Sequence, residues 1–299
     1  MNIGIIGLGK MGFNIALNLL NHNHSVVAYD LNNESVKNII KEGAKGVCSI
    51  EDLVKQLPER KIIWLMIPSG GAVDSTIEEI VKYINPKDII IDGGNSNYKD
   101  TIRRYKFLKE KGIDFMDCGT SGGTSGALNG ACTMVGAEKE VFSYCEELFK
   151  DLSIQDGYLH VGEPGSGHFT KMVHNGIEYG MMQSIAEGFE ILSKSEFNVD
   201  YEKVAKLWNN GSVIRGWLME LAQSAFSKDK DLSSIKGIMN SSGEGKWTVE
   251  TALDLQVPAP VIALSLMMRY RSLEEDTFTG KVVAALRNEF GGHEVEKNK

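Results

Sequence analysis

Lys171, His174, Asn175 and Glu178 recur at i, i+3, i+4 and i+7 in a chain of 299 residues, a spacing that puts all four side chains on one face of a helix. If that face is buried, the lysine and the glutamate are acid–base groups, because desolvation lowers a lysine pKa and raises a glutamate pKa toward neutrality. Spacing alone also fits a wet face carrying an ordinary Lys and Glu. Two features favour burial. Between Lys171 and Glu187 the sole charged residue is Glu178, whereas an exposed helix of that length carries several charges. The helix also tolerates Gly176, Gly180 and Gly188, each costing roughly 1 kcal/mol relative to alanine, which suggests close approach by another backbone, a cofactor or a substrate. Met172, Val173, Ile177 and Met181 fall elsewhere on the circumference. The expectation is a mostly buried helix.

That helix follows a breaker cluster, Glu163-Pro164-Gly165-Ser166-Gly167, and its apolar residues Phe169, Met172, Val173, Ile177, Met181, Ile185, Phe189 and Leu192 keep helical spacing. Helical patterns continue at Tyr201 to Asn209, Arg215 to Ala225, Thr248 to Leu255, Ala259 to Leu273 and Lys281 to Phe290, with no convincing strand among them. Before the cluster, β-rich runs alternate with helical ones: NIGIIG, HSVVAYD, KIIWLMIP, DIIIDGG and GIDFMDCG, then ACTMVGA and DGYLHVG as possible extensions of the same sheet. This alternation predicts an α/β, doubly wound parallel sheet over residues 1–162 and an all-helical domain over 163–299.

Gly7-Leu8-Gly9-Lys10-Met11-Gly12 is a GxGxxG that directly follows the first strand and opens a helix. In that context the first glycine permits a tight turn, the second lets a pyrophosphate approach the backbone, and the third lets helix and strand pack closely, while the helix N-terminus offers unpaired N–H groups. The first domain therefore reads as Rossmann-type and dinucleotide-binding; the plainer alternative is a glycine-rich turn. Asp30 ends the second strand, where an acid can accept hydrogen bonds from the adenosine ribose diol and would repel a 2′-phosphate. The following Leu31-Asn32-Asn33 supply no compensating cation, so NAD is expected, with NADP a weaker possibility. Asp30 could instead cap the next helix.

The net charge of −8 and the lack of a basic run oppose nucleic acid and anionic membrane surfaces. No run of about 18 uncharged apolar residues occurs, and the start lacks a basic leader, so neither a membrane span nor a targeting segment is expected. Cys48, Cys118, Cys132 and Cys145 show neither zinc spacing nor disulfide density, which suits a reducing cytoplasm. An anionic substrate must then be held by a few local cations against the overall field.

IIDGGNSNYKDTIRR (90–104), CGTSGG (118–123), GSGHFTKMVHNGIEYG (165–180), GEGKWT (243–248) and RNEFGGH (287–293) occur in that order. Through them essentially the whole chain resembles the 6-phosphogluconate dehydrogenases. The resemblance implies oxidative decarboxylation of 6-phosphogluconate to ribulose 5-phosphate and carbon dioxide, a step of the pentose phosphate route, with no metal. It makes Lys171 the base that takes the substrate 3-hydroxyl proton and then, as an ammonium, supports the 3-keto oxygen while carboxylate is lost. Glu178 is implied to protonate C1 of the enediol. Asn95, His174 and Asn175 are implied to position the sugar acid, and Ser121, Gly122 and Gly123 to meet its carboxylate and hydroxyls. Asn95 is expected to touch the cofactor as well. Tyr179, Arg287 and His293 are implied phosphate and substrate contacts, the last two reaching a neighbour's site in a homodimer or homotetramer.

The chain departs from the longer members of that family at Ser242, where they carry a phosphate-binding lysine, at Glu244 between the glycines of GEGKWT, and at Thr124, where they carry a glutamate. It also lacks much of their C-terminal helical domain and is expected to form a short branch. Two alternatives stay open: a β-hydroxyacid dehydrogenase for a substrate such as 3-hydroxyisobutyrate or tartronate semialdehyde, and a non-catalytic NAD sensor.

Overall fold

Strands buried on both faces should read as apolar runs, and Ile62–Leu65 does so throughout, while Ile89–Asp92 does so up to its last residue, with every residue of both buried. In the computed structural model, which describes residues 1–297, these are β4 and β5 of an eight-stranded sheet. The other strands are β1 (Asn2–Ile6), β2 (Ser25–Tyr29), β3 (Lys45–Gly46), β6 (Asp114–Ser121), β7 (Ala131–Ala137) and β8 (Ser153–Gly162). Their order is β3-β2-β1-β4-β5-β6-β7-β8. Side chains alternate between two cores: Ile3, Ile5, Trp64, Ile89, Ile91 and Met116 join one, while Ile63, Leu65, Ile90 and Phe115 join the other. Helices α1 (Lys10–Asn21), α2 (Asn33–Lys41), α3 (Ile50–Lys55), α4 (Gly71–Ile80), α5 (Tyr98–Lys109), α6 (Gly123–Asn129) and α7 (Lys139–Leu152) connect the strands.

The expected doubly wound sheet is present, with one correction to its direction. β7 pairs antiparallel to β6, Thr120 opposite Thr133, whereas all the other pairs are parallel. The link Gly122–Gly130 holds only α6, and a parallel crossover needs about a dozen residues or more. The two-residue β3 was too short to leave a pattern in the sequence.

The breaker cluster ends the sheet, and α8 (Ser166–Lys194) begins at once. By packing, the chain forms two compact units, one through Asn175 and one from Gly176. The first turns of α8 lie on the sheet: a Cβ on Gly167 would stand 2.6 Å from the Met134 carbonyl oxygen and 2.8 Å from the Gly136 nitrogen, so this stretch belongs to the first unit by packing. Residues 298 and 299, the end of the expected second domain, lie outside the described residues.

From Gly176 onward the elements among the described residues are all helices: the rest of α8, then α9 (Tyr201–Asn209), α10 (Trp217–Lys228), α11 (Gly243–Asp254), α12 (Pro260–Arg271) and α13 (Phe278–Gly291). The core of this unit is small, built on Phe189, Ala205, Met219 and Phe226 with Tyr201 and Trp208 against Phe189. The mostly buried helix expected over α8 is half right. Burial dominates through Gly180, but Ile177 and Met181 are half exposed and Ile191 is 72% exposed. The glycine expectation is also amended: a Cβ on Gly176 would meet the Thr248 side chain at 2.6 Å and one on Gly180 would meet Val261 Cγ1 at 3.1 Å, so side chains of α11 and α12 approach there. Nothing lies within 4 Å at Gly188.

Candidate active site

β1 feeds α1 through the glycine loop, at the point where strand order reverses between β2 and β4 and where open α/β sheets bind ligands. Gly7 has φ 98°, which favours glycine, and a Cβ there would stand 2.4 Å from the Met66 carbonyl oxygen. A Cβ on Gly12 would strike the Gly7 oxygen at 2.1 Å, whereas one on Gly9 would meet nothing within 4 Å. Close packing at Gly7 and Gly12 with open space at Gly9 is the division of labour a pyrophosphate needs. The N-terminus of α1 has no side-chain cap and no acid in its first turn, so its N–H groups suit an anion. Leu8, Lys10 and Met11 complete the loop. Asp30 does not cap α2; Asn32 does, accepting from Glu34 N. The Asp30 carboxylate accepts instead from Leu8 N at 2.5 Å and Asn32 N at 2.7 Å, which fixes it beside the loop. These residues fit a dinucleotide.

Asn95 is exposed on the turn after β5. The turn is held from below by Asp92, whose carboxylate accepts from Gly94 N at 3.2 Å and from the Ser96 hydroxyl at 2.7 Å. The buried Arg104 donates to Ser96 Oγ at 3.2 Å and to the Gly70 carbonyl at 2.9 Å. The loop that presents Asn95 therefore rests on a satisfied buried network, and such networks fix geometry.

Lys171 is 7% exposed, and its stem runs over β6, where a Cβ on Gly119 would stand 2.3 Å from Lys171 Cβ. One turn on, His174 Nε2 lies 3.3 Å from Ser121 Oγ at the end of β6, and His174 Nδ1 lies 3.0 Å from Asn175 Oδ1. Gly122 and Gly123 follow with φ 111° and 60°, so the backbone turns away sharply and Gly123 has open space at its Cβ position. The structure thus gathers Lys171, His174, Asn175, Ser121 and Gly122 of the first unit around the end of β6.

In the second unit Glu178 is half-buried and Tyr179 buried. The Tyr179 hydroxyl lies 3.1 Å from Ser242 Oγ and accepts from Ser242 N, also at 3.1 Å. Arg269 stacks its guanidinium 3.5 Å from the centre of the Tyr179 ring and donates to the Asn240 carbonyl at 2.9 Å. Arg269 is thus a cation held in place on the ring of Tyr179. It was not legible in the sequence, because nothing in a helix arginine after two methionines signals stacking on a tyrosine far away in the chain. Glu244 is buried near the start of α11. Arg287 and His293 are exposed, on and just beyond α13, which buries none of its residues; the left-handed Gly292 ends that helix. They join no cluster within their own unit.

Asp117, fully buried in β6, was likewise not singled out by sequence, although a carboxylate inside the run Phe115-Met116-Asp117-Cys118 was a visible anomaly. Burial pushes its pKa up, while His168 and the N–H groups of Gly165 and His168 pull the other way. Among the described residues no group of three or more His, Cys, Asp or Glu could hold a metal ion, and no helix is long and apolar enough to cross a membrane.

Residues 2–162 match the family profile of the NAD binding domain of 6-phosphogluconate dehydrogenase, and 167–299 match that of the 6-phosphogluconate dehydrogenase C-terminal domain. A Bacillus subtilis protein with a provisional 6-phosphogluconate dehydrogenase name is 58% identical over 99% of this chain and all of its own length. The NAD(+)-dependent, decarboxylating 6-phosphogluconate dehydrogenase of Haloferax volcanii is 41% identical, covering 99% of both chains. The Plasmodium falciparum 6-phosphogluconate dehydrogenase structure superimposes with a TM-score of 0.84 at 31% identity, over all of this chain and 67% of that one. A Salmonella typhimurium 3-hydroxyisobutyrate dehydrogenase structure, at 18% identity and TM-score 0.76, shares the fold. With both domain profiles matched in order and full-length relatives above 40% identity, the chain belongs to the 6-phosphogluconate dehydrogenase family of oxidoreductases.

Proposed function

We propose that this protein oxidises and decarboxylates 6-phosphogluconate to ribulose 5-phosphate and carbon dioxide, with NAD as the preferred acceptor, in the cytoplasm. The observation that carries the reading is the buried Lys171 one helical turn from His174 and Asn175, with Ser121 bonded to His174. An amine held beside a carboxamide, an imidazole and a hydroxyl suits a sugar acid whose hydroxyl must give up a proton. When bound, NAD supplies the hydride acceptor. Lys171 takes the 3-hydroxyl proton as C3 is oxidised, and its ammonium then donates to the 3-keto oxygen, which draws in the electrons released when the C1 carboxylate leaves. Glu178 protonates C1 of the enediol. Asn95, Gly122 and Gly123 line the sugar acid and its carboxylate, and Arg269, Tyr179 and Ser242 supply phosphate contacts in place of the absent lysine.

The active unit is a homodimer or homotetramer with shared sites. In the single chain Val261, Leu264 and Met267 on α12 and Phe278, Leu286 and Phe290 on α13 are 58–79% exposed, and apolar surface of this kind marks protein–protein contact. α13 carries Arg287, which would reach a neighbour's site.

Incubating the protein with 6-phosphogluconate and NAD or NADP, while following reduced nucleotide and carbon dioxide together, should give equimolar products, faster with NAD. Reduced nucleotide without carbon dioxide, or turnover of 3-hydroxyisobutyrate in preference, would overturn the reading. Asp30 sets the nucleotide choice: Asp30→Asn combined with Leu31→Arg should raise the NADP/NAD ratio of kcat/KM at least about 10-fold, since one charge-assisted contact is exchanged for another. A parent enzyme that already prefers NADP would sink this assignment.

A further inference from the structure

The base proposed above stands on α8, and α8 is fastened to the sheet by one buried side chain. Asp117 Oδ1 accepts from Gly165 N at 2.6 Å and Asp117 Oδ2 accepts from His168 N at 2.7 Å, so a carboxylate from the middle of β6 caps the start of α8. Asp117 is 0% exposed. His168 Nδ1 lies 3.9 Å from Asp117 Oδ2 and 2.8 Å from Thr101 Oγ1 of α5, which ties the same turn to a second element. No room remains for slack: a Cβ on Gly136 would stand 2.4 Å from Asp117 Oδ1 and 2.7 Å from Gly167 N, and a Cβ on Gly167 would stand 2.7 Å from the Asp117 carbonyl oxygen. Two residues along β6 from Asp117, at Gly119, the strand backbone meets the Lys171 stem.

We propose that Asp117 is the positioning residue for Lys171: by binding the N–H of Gly165, just before α8, and that of His168, in its first turn, it fixes the height and rotation of the helix on β6, and with them the place of the amine. Three glycines, Gly119, Gly136 and Gly167, make the socket close enough for that cap to be decisive. Asp117 itself touches no reacting atom. Displacing a catalytic group by about 1 Å can cost 10²-fold in rate, so the cap acts on kcat.

The inference rests on the proposed role of Lys171 and is tested with the series D117N, D117S and D117A in the full-length protein. Asparagine and serine still cap helices, whereas alanine does not. The expected result is a graded loss of kcat, about 10-fold for D117N and D117S and about 10²-fold for D117A, with KM for 6-phosphogluconate and Kd for NAD within about threefold of the parent. Hydrogen exchange without substrate should quicken over residues 165–175 and stay unchanged in β1 to β5. If D117A does not fold, the asparagine and serine variants carry the comparison. Uniformly faster exchange, a rise in KM at constant kcat, or three equal kcat values would overturn the proposal. A parent protein inactive on 6-phosphogluconate would sink the functional reading instead; the exchange measurement still decides whether Asp117 anchors α8.

Discussion

Replacing Lys171 with methionine is expected to lower kcat with 6-phosphogluconate by at least about 10³-fold, because general base catalysis and support of the developing enolate oxygen are lost together. Methionine matches the length of the lysine stem that crosses Gly119 and carries no charge into a site that is 7% exposed. The thermal midpoint should therefore hold within a few degrees, and NAD should bind as in the parent, since the glycine loop and Asp30 are untouched. The measurement is a single-turnover trace of reduced nucleotide. A burst of normal amplitude and rate in Lys171→Met would mean that another group accepts the hydroxyl proton. Glu178→Gln separates the later step: hydride transfer should persist while release of C1-protonated ribulose 5-phosphate slows by about 10²-fold, within the range for loss of a general acid. Near-normal turnover by that variant would remove Glu178 from the role.

Mixing two inactive variants should restore activity. Lys171→Met lacks the base, and Arg287→Ala lacks an exposed guanidinium whose planar fork suits bidentate binding of phosphate. Within its own chain Arg287 sits on a helix that buries nothing, and the proposed shared site has it reach the substrate of a second subunit. Each variant refolded alone should stay below about 1% of the parent kcat/KM, the loss expected when a charged phosphate contact or the base is removed. Unfolded together and refolded, the mixed dimer pairs one doubly defective site with one that regains both residues. Activity should return to up to about half of the sites in such dimers, by the symmetry of an isologous pair. Mixed dimers isolated with two different affinity tags provide the check. Tagged heterodimers with no activity would place Arg287 in its own subunit's site or outside any site.

Features that depend on neighbours within a few residues are legible in the amino-acid sequence. The GxGxxG after a strand, the acid after the second strand and the helical spacing of Lys171, His174, Asn175 and Glu178 are local patterns, because backbone turns and helix periodicity are set by adjacent residues. The paired apolar runs Ile62–Leu65 and 89–91 are equally plain, since strands covered on both faces admit a polar residue only where it is hydrogen-bonded, as Asp92 is. What joins distant segments is hidden. Asp117 reads only as a charge inside an apolar run, and its partner His168 lies 51 residues away; the direction of β7 follows from the short link through α6. Ser242 looks like a lost phosphate ligand, yet it pairs with Tyr179 across 63 residues, with Arg269 stacked on the same ring. Periodicity shows the helices of the second unit but not their exposure, because a helix pattern records that one face is apolar and not what covers it. The sequence thus determined the chemistry available on each element, and the tertiary contacts decided which groups meet, because a contact between residues far apart in the chain has no local signature.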